Sequence, residues 1–149
     1  MRRVKWVLVG LCLLTPTLHA WNVSYGSYLK ITGITRTEGR ILLPVERKKF
    51  YNVRILSQNT YQFVRTCQPP CRQTVSDVNV DVLNVRAAKE QPDMWIATLA
   101  FNQDWQGTFL VFRRGDTYSV KPPAHLIFLQ QALKQKTEAA IIAAIKELK

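Results

Sequence analysis

The sequence is short of cysteine, histidine and acidic residues, and it has no long apolar run. Three cysteines in 149 residues leave at most one pair and a remainder. That is too few for the disulfide-dense frameworks of small secreted modules. The two histidines, His19 and His125, offer little for acid–base chemistry. No G-x-S-x-G elbow is present, and no GxGxxG or Walker-type phosphate loop. Asp77 and Asp81, the closest carboxylates in one strand-like segment, would lie about 13 Å apart along it, too far to work as a catalytic pair. These absences point away from an enzyme and predict no cofactor. There are no internal repeats and no low-complexity tracts.

The apolar run Val7 to Leu14 holds eight residues. As a helix it would reach about 12 Å, against ~30 Å for a bilayer core. It is preceded by Arg2, Arg3 and Lys5, broken by Pro16, and followed by Leu18-His19-Ala20. That layout predicts a secretory signal peptide over residues 1–20, cleaved near Ala20-Trp21. Cys12 follows Leu11 rather than a small residue, which argues against a lipoprotein signal. The single sequon, Asn22-Val23-Ser24, carries weight only in a eukaryotic secretory pathway. The small size and lone cysteine pair point to a bacterial periplasmic or envelope protein.

Positive charge is what the sequence has in excess. The whole chain carries 21 basic and ten acidic residues, a net charge of +11. Removing residues 1–20 takes three basic and no acidic residues, leaving +8. Such a field suits an acidic protein, an acidic glycan or an anionic membrane surface, and an exported chain has little call to meet nucleic acid. Solubility alone also accounts for it. Arg47, Lys48 and Lys49 form one basic cluster and Arg113 with Arg114 another, each near a strand end and each a candidate anion or partner contact.

Residues 28–120 read as short strands. Runs at 28–32, 40–43, 49–56, 61–65, 78–82, 94–101, 108–113 and 118–120 alternate apolar with polar residues or concentrate β-branched and aromatic ones. Seven or eight such strands predict an all-β fold, an antiparallel β-sandwich of immunoglobulin-like architecture over residues 21–123. Arg114-Gly115-Asp116 spells an adhesion tripeptide, but Gly and Asp there are also what a hairpin turn needs. Trp95, Phe101, Phe109 and Phe112 are expected in the core. Trp105 lies in the polar stretch Asn102 to Gly107, so it is either an exposed contact residue or a lid on the core.

After Pro122-Pro123 the period changes. Leu126, Leu129, Leu133, Ile141, Ile145 and Leu148 recur at helical spacings, with lysines off the stripe. Residues 124–149 therefore predict an amphipathic helical segment, with a second start near Lys136-Thr137. The stripe permits three readings: cover for the sheet, an interface with a second copy or partner, or contact with a membrane surface.

With Cys12 lost in the signal, Cys67 and Cys71 remain, in Cys67-Gln68-Pro69-Pro70-Cys71. In an oxidising compartment a disulfide that pins a turn is the direct reading. A redox site would need a helix N-terminus to lower a thiol pKa, and the flanks read as strand. A soft-metal site for copper would recruit His125 or Met94. The function these features predict is a non-catalytic binding or assembly protein of the envelope, such as an accessory part of a secretion or surface-assembly system. It would contact other proteins or itself, and alternatively an anionic membrane or glycan, or copper through Cys67 and Cys71.

Overall fold

Alternating apolar residues form two sheets in the computed structural model, which describes residues 19–44 and 53–148. The signal-like run at 7–14 and the cluster Arg47, Lys48 and Lys49 lie outside those residues. Ten strands and two helices occur among the described residues.

The first sheet is built on β1 (Trp21–Tyr25) and β2 (Leu29–Thr37), reversed at Gly26, whose φ of 55° suits glycine. Opposite β1, strand β2 pairs with β10 (Leu126–Phe128) along Leu29–Ile31, and its later residues Thr35–Thr37 pair with β3 (Arg40–Leu42). Strand β5 (Cys71–Gln73) joins β1 in parallel, so the fold is not purely antiparallel as expected. The second sheet runs β4 (Val53–Ile55), β8 (Trp105–Arg114), β7 (Met94–Phe101), β6 (Val80–Ala87), with β9 (Thr117–Lys121) also on β8. The succession β6, β7, β8, β9 is an antiparallel meander.

Seven of the eight expected strands are present in whole or part. The eighth, residues 61–65, lies in helix α1 (Gln58–Thr66). Tyr61 and Phe63 imitate strand alternation, but Thr60 and Val64, four apart, are the buried pair and set a helical face. Ser57 caps the helix, its Oγ accepting from the N–H of Thr60 at 3.1 Å. At the other end Arg36 Nη2 donates to the carbonyls of Val64 and Cys67 at 3.1 and 3.0 Å, satisfying acceptors that a helix C-terminus leaves open. The Arg36 guanidinium lies 4.7 Å from the Trp21 ring centroid. It thereby ties α1 to the start of β1.

The C-terminal segment also departs from expectation. Leu126 is a strand residue, buried and opposite Ile31. Leu129 is exposed in the link to the helix and donates its N–H to Tyr28. The helix is a single element, α2 (Gln131–Glu147). Thr137 caps nothing: it is buried, and its hydroxyl donates to the Leu133 carbonyl one turn back. Leu133, Thr137, Ile141 and Ile145 form the buried face, while Leu148 ends the helix half exposed.

One hydrophobic core draws on both sheets and both helices. Phe128 of β10 packs against Phe101 and Phe109 of the second sheet, at centroid distances of 6.1 and 6.2 Å. Val64 of α1 and Leu133, Ile141 and Ile145 of α2 enter the same cluster. Helix α2 thus packs on its own domain, against β6 and β10.

Candidate docking surface

Three features of the second sheet bear on function. The first is a polar lock at the β7–β8 turn. Asn102 and Gln103 have φ of 52° and 57°, and the N–H of Asp104 returns to the carbonyl of Phe101 at 2.9 Å. This tight turn aims Asp104 at the first sheet and at α1. Its carboxylate accepts from the Tyr25 hydroxyl through Oδ2 and from Ser57 through Oδ1, the latter at 2.7 Å. Asn102 Nδ2 donates to the Tyr25 oxygen at 3.0 Å. Burial, and then the hydrogen bond to Asp104, push the Tyr25 hydroxyl above its ordinary pKa. Hydroxyl and carboxylate are engaged with each other, so the arrangement is a fastening between layers.

Trp105 belongs to the same end of the core. It is fully buried, and its Nε1 donates to Gln73 Oε1 at 3.4 Å, while Gln73 Nε2 donates to Thr60 at 2.9 Å. Its sequence candidacy as an exposed contact is therefore corrected: the tight turn leaves Trp105 as the first residue of β8, facing inwards. Cys67 and Cys71 are disulfide-bonded with Cα atoms 5.7 Å apart. Cys67 sits at the C-terminal end of α1, not on a strand flank. The negative end of a helix opposes a thiolate, so the position of Cys67 disfavours an activated thiol. His125 Nδ1 is 3.1 Å from the Thr32 hydroxyl, and Met94 lies in a different hydrophobic cluster from the cysteines. No group of three or more His, Cys, Asp or Glu among the described residues is placed to hold a metal.

The second feature is Arg113, which has intramolecular partners. Its guanidinium pairs with Asp93 and lies 5.5 Å from the Trp95 ring, whose other neighbour is Tyr118 at 5.9 Å. The Asp93 contact raises the Arg113 pKa. Arg114 is exposed and leads into the two-residue turn Gly115-Asp116, where Gly115 has φ of 59° and Thr117 donates to the Arg114 carbonyl. The adhesion-like tripeptide is thus held as a hairpin turn.

The third feature is the face of this sheet that points away from the main core. Pairing puts Met94 opposite Phe112 and Ile96 opposite Leu110, and these four form a separate apolar cluster. Ile96 and Leu110 are 8% and 4% exposed, while Met94 and Phe112 are half-buried, so the accessible part lies at the Met94–Phe112 end. Next to it opens a cleft of about 330 Å³ walled by Arg86, Lys89, Glu90, Met94 and Ile96 among others. Arg86 pairs with Ile96 from β6, and Lys121 with Leu110 from β9, so cations stand on both sides of the apolar strip.

Sequence reasoning missed this strip. The signal was the composition of 94–101 and 108–112, where both alternating sets are apolar or small. A strand of that kind needs cover on both faces. No protein-family model, curated protein or solved structure matches the chain.

Proposed function

We propose that the chain is an exported, non-catalytic binding or assembly protein of a bacterial periplasm or envelope, which docks a protein partner on the outer face of its second sheet. The observation that carries this reading is the strip Met94, Ile96, Leu110 and Phe112, an apolar cluster separate from the core and flanked by cations. Apolar centres with polar rims are the anatomy of protein interfaces.

Export is supported by two further facts. The first described strand begins at Trp21, and the preceding His19 and Ala20 are exposed in irregular backbone, accessible to a peptidase. The Cys67–Cys71 bond suits an oxidising compartment. As scaffold we read a β-sandwich of immunoglobulin-like kind, supported by the core that the two five-stranded sheets share. The parallel β1–β5 pair and the β6–β9 meander are departures from that pattern.

Cell fractionation with N-terminal sequencing tests export: the expected product lies outside the cytoplasm and begins at Trp21. A cytoplasmic chain starting at Met1 overturns it. Docking is tested by Phe112→Asp, which is expected to abolish co-purification of a partner identified with the unsubstituted protein while leaving the circular dichroism spectrum unchanged. Undiminished co-purification overturns the assignment to this face.

A further inference from the structure

The register of the second sheet fixes the width of the strip. Lys121 of β9 stands beside Leu110, Leu110 beside Ile96, and Ile96 beside Arg86 of β6. Three inter-strand steps put the outer two backbones about 14 Å apart. An α-helix with its side chains is about 10–12 Å across. Resting on the docking reading above, we infer that the occupant is an α-helix of another protein, seated over the Met94–Phe112 end of β7 and β8 with apolar side chains against that cross-strand pair and carboxylates towards Arg86, Lys89 and Arg114.

Charge gives the occupant its sign. The cleft beside Met94 is lined by Arg86 and Lys89 with Glu90 as its carboxylate, and exposed Arg114 lies two residues beyond Phe112, at the same end of the sheet. Lys121 already has an interaction of its own and marks the flank by position. The chain's own segments carry the wrong sign. Its N-terminus holds Arg2, Arg3 and Lys5, and α2 carries three lysines, Lys134, Lys136 and Lys146, against two glutamates, Glu138 and Glu147. A second copy's α2 would also have to surrender Leu133, Ile141 and Ile145, which are buried in its own core. A bilayer is the poorer fit, because Ile96 and Leu110 are only 8% and 4% exposed and the accessible apolar surface is confined to the Met94–Phe112 pair. The cleft instead accepts a side chain standing out from a helix, the anchoring mode of helix-in-groove recognition.

The test uses the isotope-labelled full chain and three synthetic helical peptides that share one leucine stripe and differ in flanks: Glu, Gln or Lys. The Glu-flanked peptide is expected to bind about tenfold more tightly than the Gln-flanked one, to weaken with salt, and to shift the resonances of Met94 and Ile96. Arg86→Glu with Lys89→Glu should remove that preference, and Lys146→Glu on α2 should not. Equal affinity for the three peptides, or shifts centred on α2, overturns the inference. So does displacement of the same resonances by phosphatidylglycerol vesicles and not by the peptides. A partner mapped by cross-linking from Phe112 that meets the strip with a strand or loop overturns the helix assignment and leaves the docking reading standing. Absence of any cross-linked partner removes both.

Discussion

The Tyr25 hydroxyl donates to the Asp104 carboxylate across 79 residues of sequence, joining β1 of one sheet to the β7–β8 turn of the other. The same carboxylate holds Ser57, whose oxygen caps α1. One turn thus fastens three elements that have no neighbouring sequence in common.

Removing the phenolic oxygen should loosen that fastening. Tyr25→Phe leaves Asp104 with one hydroxyl donor fewer and takes from Asn102 an acceptor. The expected loss is about 1–3 kcal/mol in urea unfolding. Tyr28→Phe, whose hydroxyl donates to an exposed backbone carbonyl, should cost less.

Alkaline pH should act through the same group. Burial and the Asp104 bond hold the Tyr25 hydroxyl above the ordinary tyrosine value of about 10. Above that pH the unfolded chain has released a proton that the folded chain keeps. The stabilisation is therefore complete below about pH 10 and drains away as pH rises towards the folded-state value. In a titration of tyrosinate absorbance, one of the five tyrosines should ionise last, and Tyr25→Phe should remove that step and flatten the alkaline loss of stability.

The disulfide contributes by closing a short loop between α1 and β5. Cys67→Ser with Cys71→Ser should cost about 2 kcal/mol, and a reductant should lower the melting temperature of the unsubstituted protein but not of this variant. A reductant effect of the same size on both would assign the loss elsewhere.

Helix α2 is part of the core, so its buried face and its exposed C-terminal end should respond differently to side-chain truncation. Ile141 is fully buried and Leu148 is half exposed. Ile141→Ala should cost about 2–5 kcal/mol. Leu148→Ala should stay within about 0.5 kcal/mol. Both follow from chemical denaturation curves.

These elements show where sequence was informative. Strands β7 and β8 were legible because turn residues bound their long apolar runs. Strands β1, β5 and β10 were not. β5 and β10 are three residues long, and pairing with distant strands, rather than local pattern, makes them strands. Helix α1 was hidden because nine residues with Tyr61 and Phe63 two apart satisfy both periods, and only the Ser57 cap and the Thr60–Val64 face decide between them. Trp105 read as a turn residue because its neighbours are polar, yet those neighbours form the tight turn that drives it inwards. Of the basic candidates, Arg113 proved to be engaged with Asp93 and Trp95, a partnership set by strand register and invisible in sequence.

The docking face is tested most directly by site-specific photo-cross-linking in intact cells. A benzophenone amino acid replaces Phe112 in one strain and exposed Ala143 of α2 in another. The account predicts a discrete cross-linked protein from position 112, identified by mass spectrometry, lost when Met94→Asp is added, and absent from position 143. Cross-links from position 143 alone, or from neither position, would contradict it.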